Sequence, residues 1–150
     1  MIKTIRTDSK NADFIELVKL LDKDIFERDK TAHSRFGKYN TIEKLNYVVV
    51  IYDNNLPVGC GAIKEFDDTT TEIKRMFVKA DFRGKTFAPM ILQELEDWSK
   101  ELNYNRCVLQ TSHQHPEAIR FYKRSGYSSI ANYGAYTSIS DSLCFEKYLN

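Results

Sequence analysis

Cysteine is scarce and odd in number. Cys60, Cys107 and Cys144 are widely spaced, each in an apolar, strand-like run. They read as small buried hydrophobes in a reducing compartment, not as a disulfide framework. Net charge is almost absent, with 22 Lys and Arg against 21 Asp and Glu, giving +1. That leaves no electrostatic footprint for nucleic acid or for an anionic membrane. No apolar run approaches the length of a membrane span, and the opening "MIKTIRTDSK" lacks the apolar core of a signal peptide. A cytoplasmic location is therefore expected, with neither a membrane nor a nucleic acid as partner. Repeats, low-complexity stretches and linkers are missing too, so the 150 residues are expected to form a single domain over 1–150. The three histidines offer little: His113 and His115 form an H-x-H at a strand end, without a nearby cysteine or further ligand set. No metal is expected.

What is present is periodicity. "IKTIRT" (Ile2 to Thr7) alternates as a strand does, and Phe14, Leu17, Val18, Leu21 and Ile25 fall on one face of a helix. The polar stretch from Glu27 to Asn40 reads as a loop with room for a short helix, broken near Gly37. "YVVVIYD" (Tyr47 to Asp53) is β-branched and aromatic; "NNLP" turns it into "VGCGAIKEF" (Val58 to Phe66), and "DDTT" turns that into "TEIKRMFVK" (Thr71 to Lys79). The period then changes. Ala88, Ile91, Leu92, Leu95 and Leu102 mark a helix from about Thr86 to Leu102, with Pro89 tolerated in its first turn. "RCVLQTS" (Arg106 to Ser112) is a buried strand. "HPEAIRFYKRSGY" is a short helix ended by Gly126, and "YSSIANY" and "SLCFEKYL" are two last strands. The expected class is α/β: a mixed, mostly antiparallel sheet of about seven strands flanked by about four helices. A right-handed crossover makes the strands on either side of Thr86–Leu102 parallel. The loop at Phe82 to Thr86 then opens a helix N-terminus at the carboxyl end of a strand, where anions bind.

That loop contains "GKT", the ending of a nucleotide-binding P-loop. Glycine is missing where such a loop needs it: the position that should open the pattern is Lys79. No later strand ends in a magnesium-binding Asp either. A P-loop nucleotidase is excluded on these grounds.

A different match covers about Tyr47 to Leu149. "EIKRMFVKADFRGKTFAPMILQELEDW" followed by "PEAIRFYKRSGY" resembles the GNAT superfamily of acyl-CoA-dependent N-acyltransferases. The first stretch is similar to that family's pyrophosphate loop, Q/R-x-x-G-x-G/A, with Arg83 first and Ala88 last. The second is similar to its A-x-x-x-Y-x-x-x-G-F/Y signature through Ala118, Tyr122, Gly126 and Tyr127. Two positions depart from the pattern. Thr86 stands where the loop has its central glycine, and His115 where many members carry Asn.

The resemblance implies an N-acetyltransferase using acetyl-CoA as co-substrate and a small-molecule or amino-acid-like amine as acceptor. A noncatalytic CoA-binding or interaction module and a protein acetyltransferase are the alternatives, and a homodimer is a state the fold often adopts. It places acetyl-CoA between the strands Thr71–Lys79 and Arg106–Ser112. Backbone groups around Met76 and Val78 would hold the pantetheine. Amides of Arg83, Gly84, Lys85, Thr86, Phe87 and Ala88 would take the pyrophosphate, and a backbone N–H near Phe77 would meet the thioester oxygen. Tyr122 is the implied general acid. Glu72, four residues before Met76, is the implied base, with Glu65, Asp67 and Asp68 nearby to attract a cation. His33, Tyr133 and Tyr136 are placed near the acceptor site by fold analogy, with packing the plain alternative for the tyrosines.

Overall fold

The computed structural model describes residues 1–28 and 43–150. Seven strands make one sheet: β1 (Ile2–Thr7), β2 (Tyr47–Asp53), β3 (Leu56–Asp67), β4 (Thr70–Val78), β5 (Arg106–Ser112), β6 (Ser128–Ile130) and β7 (Ser142–Tyr148). Their order is β1-β2-β3-β4-β5-β7-β6. Every neighbouring pair is antiparallel except β4 and β5, which the crossover makes parallel as expected. The α-helices among the described residues are α1 (Ala12–Arg28), α2 (Phe87–Glu101) and α3 (Pro116–Arg124), with short 3-10 turns at Ala80–Phe82 and Gly134–Ser138. The loop expected from Glu27 to Asn40 lies mostly outside the described residues, apart from Glu27 and Arg28, which close α1.

The elements start and stop for local reasons. Asn11 caps α1: its Oδ1 accepts the Phe14 N–H at 2.9 Å. The β2–β3 turn is tighter than "NNLP" suggests. Asn54 and Asn55 both take positive φ, 51° and 70°, the geometry that suits a two-residue hairpin, and Leu56 and Pro57 already belong to β3.

The sheet is covered on both faces. Along β2, Val48 and Val50 pack with Phe14 and Leu17 of α1, while Val49 and Ile51 pack with Ile91 and Leu95 of α2. Hence Val48 to Ile51 run apolar without a break. Gly61 sets how close α2 lies, since a Cβ there would come within 2.9 Å of Ile91 and Leu95. Cys60, Cys107 and Cys144 are fully buried and free, and burial pushes the Cys60 thiol up to about 12. No helix among the described residues is long and apolar enough to cross a membrane.

Candidate active site

The sheet is open in its middle. β4 and β5 pair only from Thr70 opposite Arg106 to Ile73 opposite Leu109, although β4 runs on to Val78 and β5 to Ser112. The parting begins at a bulge. Cys60 and Ala62 of β3 oppose Phe77 and Lys74 of β4, so β4 carries one residue more than β3 there. Within it Arg75 has φ +58°. A bulge bends its strand and reverses which side chains face which way. Before it, Thr71 and Ile73 face α2; after it, Met76 and Val78 do, while Phe77 turns to α1.

Two chambers occupy the gap and join at Met76, His115, Ala118 and Tyr122. The outer one, about 360 Å³, is lined by Phe77, Val78, Arg83, Gly84, Lys85 and Ala88. The inner one, about 160 Å³, is lined by Glu72, Lys74, Arg75, Gln110 and Tyr136.

At the outer end the loop into α2 is built for an anion. None of the consecutive backbone amides from Gly84 to Ala88 donates to an acceptor among the described residues. Pro89 has no N–H to add, and the first helical bond runs from the Met90 N–H to the Thr86 carbonyl. Such amides at a helix N-terminus suit phosphate. The left-handed conformation falls on Gly84, φ +75°, and Thr86 has φ −95° and ψ 1°, in the bridge region, which is open to a residue with a side chain. The Thr86 hydroxyl makes no capping bond, and the Phe87 side chain is core, stacked edge-on with Phe82. At Phe87 only the backbone is available to a ligand, whereas the Thr86 side chain is exposed. Arg83 is tethered: its Nε donates to the Val78 carbonyl at 2.7 Å, and its guanidinium lies over Phe77 and 3.8 Å from Asp24. It braces the loop against the end of β4. The donor set fits a pyrophosphate.

Tyr122 stands where the chambers meet, and the way α3 ends fixes it there. The Tyr127 N–H reaches the Tyr122 carbonyl at 3.0 Å and the Gly126 N–H reaches that of Lys123 at 3.2 Å, with Gly126 at φ +96°. This is a Schellman ending, in which a contact between the outer residue and the last helical turn is usual. Tyr127 supplies it, its ring edge-on to Tyr122 at 5.7 Å. The Y-x-x-x-G-Y spacing thus has a structural cause. The Tyr122 hydroxyl makes no hydrogen bond among the described residues, and burial pushes the phenol above its ordinary range.

Glu72 reaches the inner chamber from β4, and the Tyr133 hydroxyl donates to its Oε2 at 2.7 Å. Burial, then the Glu72 charge, holds the Tyr133 phenol protonated. Tyr133 therefore has a polar role beyond packing, and Tyr136 lines the chamber beside it. His115, at the N-terminus of α3, lines both chambers; burial and Arg28 lower its pKa. Glu65 is bonded instead by the Tyr104 hydroxyl, and Asp67 by the Thr69 N–H. His113 is exposed. No group of His, Cys, Asp and Glu among the described residues could hold a metal ion. His33 lies outside the described residues. Reasoning from the sequence missed Lys74, Arg75 and Gln110.

Known proteins share this fold. The acetyltransferase (GNAT) family profile matches residues 14–127. An IAA acetyltransferase from Azospirillum brasilense is 31% identical over 93 residues, covering 61% of each chain, so the match spans about six tenths of that relative's length. Among solved structures, a Klebsiella pneumoniae chain assigned as an acyl-CoA N-acyltransferase superposes with a TM-score of 0.81 at 24% identity, over 100% of this chain and 99% of that one. A GNAT family acetyltransferase from Elizabethkingia anophelis, with acetyl-CoA bound, gives 0.71 at 15% identity over 99% and 98%. With more than half its length matched by the family profile and its fold shared end to end, the chain belongs to the acetyltransferase (GNAT) family.

Proposed function

We propose that the protein moves the acetyl group of acetyl-CoA to a primary amine of a small molecule by direct attack. One observation carries this reading. The free Tyr122 hydroxyl sits at the junction between a chamber that ends in unpaired amides and a chamber that holds a carboxylate. Acetyl-CoA, once bound, supplies an activated thioester; the amides from Gly84 to Ala88 hold its pyrophosphate, and the backbone of Met76 and Val78 holds its pantetheine. The amide near Phe77 donates to the thioester oxygen as negative charge develops. An alkyl amine, pKa about 10, is almost wholly charged at neutral pH. Glu72 takes its proton, directly or through water. The nitrogen then bonds to the acetyl carbon, the carbon–sulfur bond breaks, and Tyr122 gives its proton to the leaving sulfur; the nitrogen's second proton leaves to water as the amide forms, and water returns a proton to Tyr122. Burial raises the Tyr122 pKa, so the phenol carries its proton at neutral pH.

The negative φ at Thr86 supports this reading over a noncatalytic module, since the loop does not need a glycine there. The inner chamber's size favours a small acceptor over a protein one: about 160 Å³ compares with the roughly 150 Å³ that admits a benzene. Calorimetric titration with acetyl-CoA, followed by thiol release over a panel of amines, tests the reading. Micromolar binding and amine-dependent release are expected. An absence of binding up to millimolar acetyl-CoA overturns it.

A further inference from the structure

The chamber that would receive the acceptor contains more than a base. Lys74 and Arg75 both line it, and both are at least nine-tenths buried. In a regular strand, consecutive residues face opposite sides of the sheet. The bulge breaks that rule and sends both cations toward the α1 side. Lys74 pairs there with Glu43, Nζ to Oε1 at 2.6 Å, and Arg75 with Asp22 of α1, Nη1 to Oδ1 at 2.9 Å.

The two are not equivalent. Lys74 has a compact ammonium and a close carboxylate. Arg75 carries a planar fork of several N–H donors, and its bond to Asp22 is the only one its side chain makes among the described residues. A guanidinium side chain only 4% exposed therefore has donors to spare beside the chamber. Its backbone is also held at φ +58°, a conformation that a non-glycine residue adopts at a cost of about 1–3 kcal/mol. Packing alone does not account for a strained, under-bonded arginine on the wall of a reaction chamber. Glu72 lies three residues away on the same strand, with its carboxylate fixed by Tyr133.

Resting on the proposed acetyl transfer, we infer that the acceptor is an amine that also bears a carboxylate. Arg75 binds that carboxylate through the N–H groups Asp22 leaves free, and Glu72 faces the ammonium. Opposite charges at the two ends orient the nitrogen toward the Tyr122 junction. They also select against plain alkylamines, which would leave the N–H groups not used by Asp22 without an acceptor. An amino acid short enough for the inner chamber is the substrate class.

The test compares acceptors in matched pairs: leucine with isoamylamine, and alanine or β-alanine with ethylamine, each scored as kcat/KM by thiol release. The carboxylate partner is expected to lead by about tenfold to hundredfold, the range of a hydrogen bond to a charged group. In Arg75→Gln that ratio should collapse toward unity, which separates recognition from the lower basicity of amino-acid amines; Arg75→Lys should recover part of it. Should the variants not fold, the wild type still decides. Isovalerate, which has the carboxylate and no amine, should compete with leucine and not with acetyl-CoA. If the alkylamines are acetylated as well as the amino acids and isovalerate does not compete, the inference fails while the acetyltransferase reading stands. If no amine of either kind releases thiol, that reading fails and takes the inference with it.

Discussion

Replacing Tyr122 by Phe separates chemistry from structure at a single atom. The ring is buried and packed against Tyr127 and Phe121, and Phe preserves those contacts. The hydroxyl forms no hydrogen bond among the described residues, so its loss strands no partner. Stability should change by less than about 0.5 kcal/mol, because the usual penalty comes from a group left unpaired. Acetyl-CoA affinity should stay within about threefold. Turnover should fall by roughly a hundredfold or more, the usual contribution of a positioned general acid, equivalent to about 3 kcal/mol of barrier. Burial raises the Tyr122 pKa, so the acid form persists below its folded value, which lies above the ordinary value of about 10. The wild-type rate should accordingly show no loss from this group below about pH 10. Single-turnover thiol release with saturating acceptor measures the chemical step. Turnover of Tyr122→Phe within threefold of wild type would refute the acid assignment.

Glu72→Gln should lower kcat/KM by about a hundredfold. A loss of less than threefold in amine-dependent thiol release would eliminate Glu72 as the base. Thr86→Gly should leave acetyl-CoA affinity within about threefold, because φ −95° is already ordinary; a tenfold gain by calorimetry would mean the threonine is strained in the bound state. Gly126→Ala must adopt φ +96° and should cost about 1–2 kcal/mol, or about 2–8 °C of melting temperature, with unchanged stability counting against the Schellman ending. Glu96→Ala removes the acceptor of the Tyr127 hydroxyl at 2.9 Å and of Lys147 at 3.0 Å. Urea unfolding should report a loss of about 2–4 kcal/mol, and a loss under 1 would mean that water replaces the carboxylate.

Most of the fold is legible from periodicity because each element buries a regular pattern. β1, β2 and β5 run between the residues expected of them, and α2 begins one residue after Thr86. Two boundaries move for local reasons. The Asn54–Asn55 turn absorbs two positive φ values and frees Leu56 and Pro57 for β3. "YSSIANY" yields only Ser128–Ile130 as strand, its remainder leading into the turn that carries Tyr136. The outer chamber was legible because a motif spells out its backbone. The inner chamber was not, since it depends on which residues a bulge turns inward.

That bulge did leave a trace in the sequence. In "TEIKRMFV" strict alternation puts Thr71, Ile73, Arg75 and Phe77 on one face and Glu72, Lys74, Met76 and Val78 on the other. Either face then mixes charge with large apolar groups, in a strand that neighbours cover on both sides. Inserting one residue at Arg75 clears one face of charge: Thr71, Ile73, Met76 and Val78 join the α2 side, and Glu72, Lys74 and Arg75 collect with Phe77 on the other. The same insertion parts β4 from β5 and so opens the cleft. The adjacent pair of cations and the gap in the sheet therefore have one cause. A strand that opens at this bulge gains, by opening, a charged wall on the inner chamber.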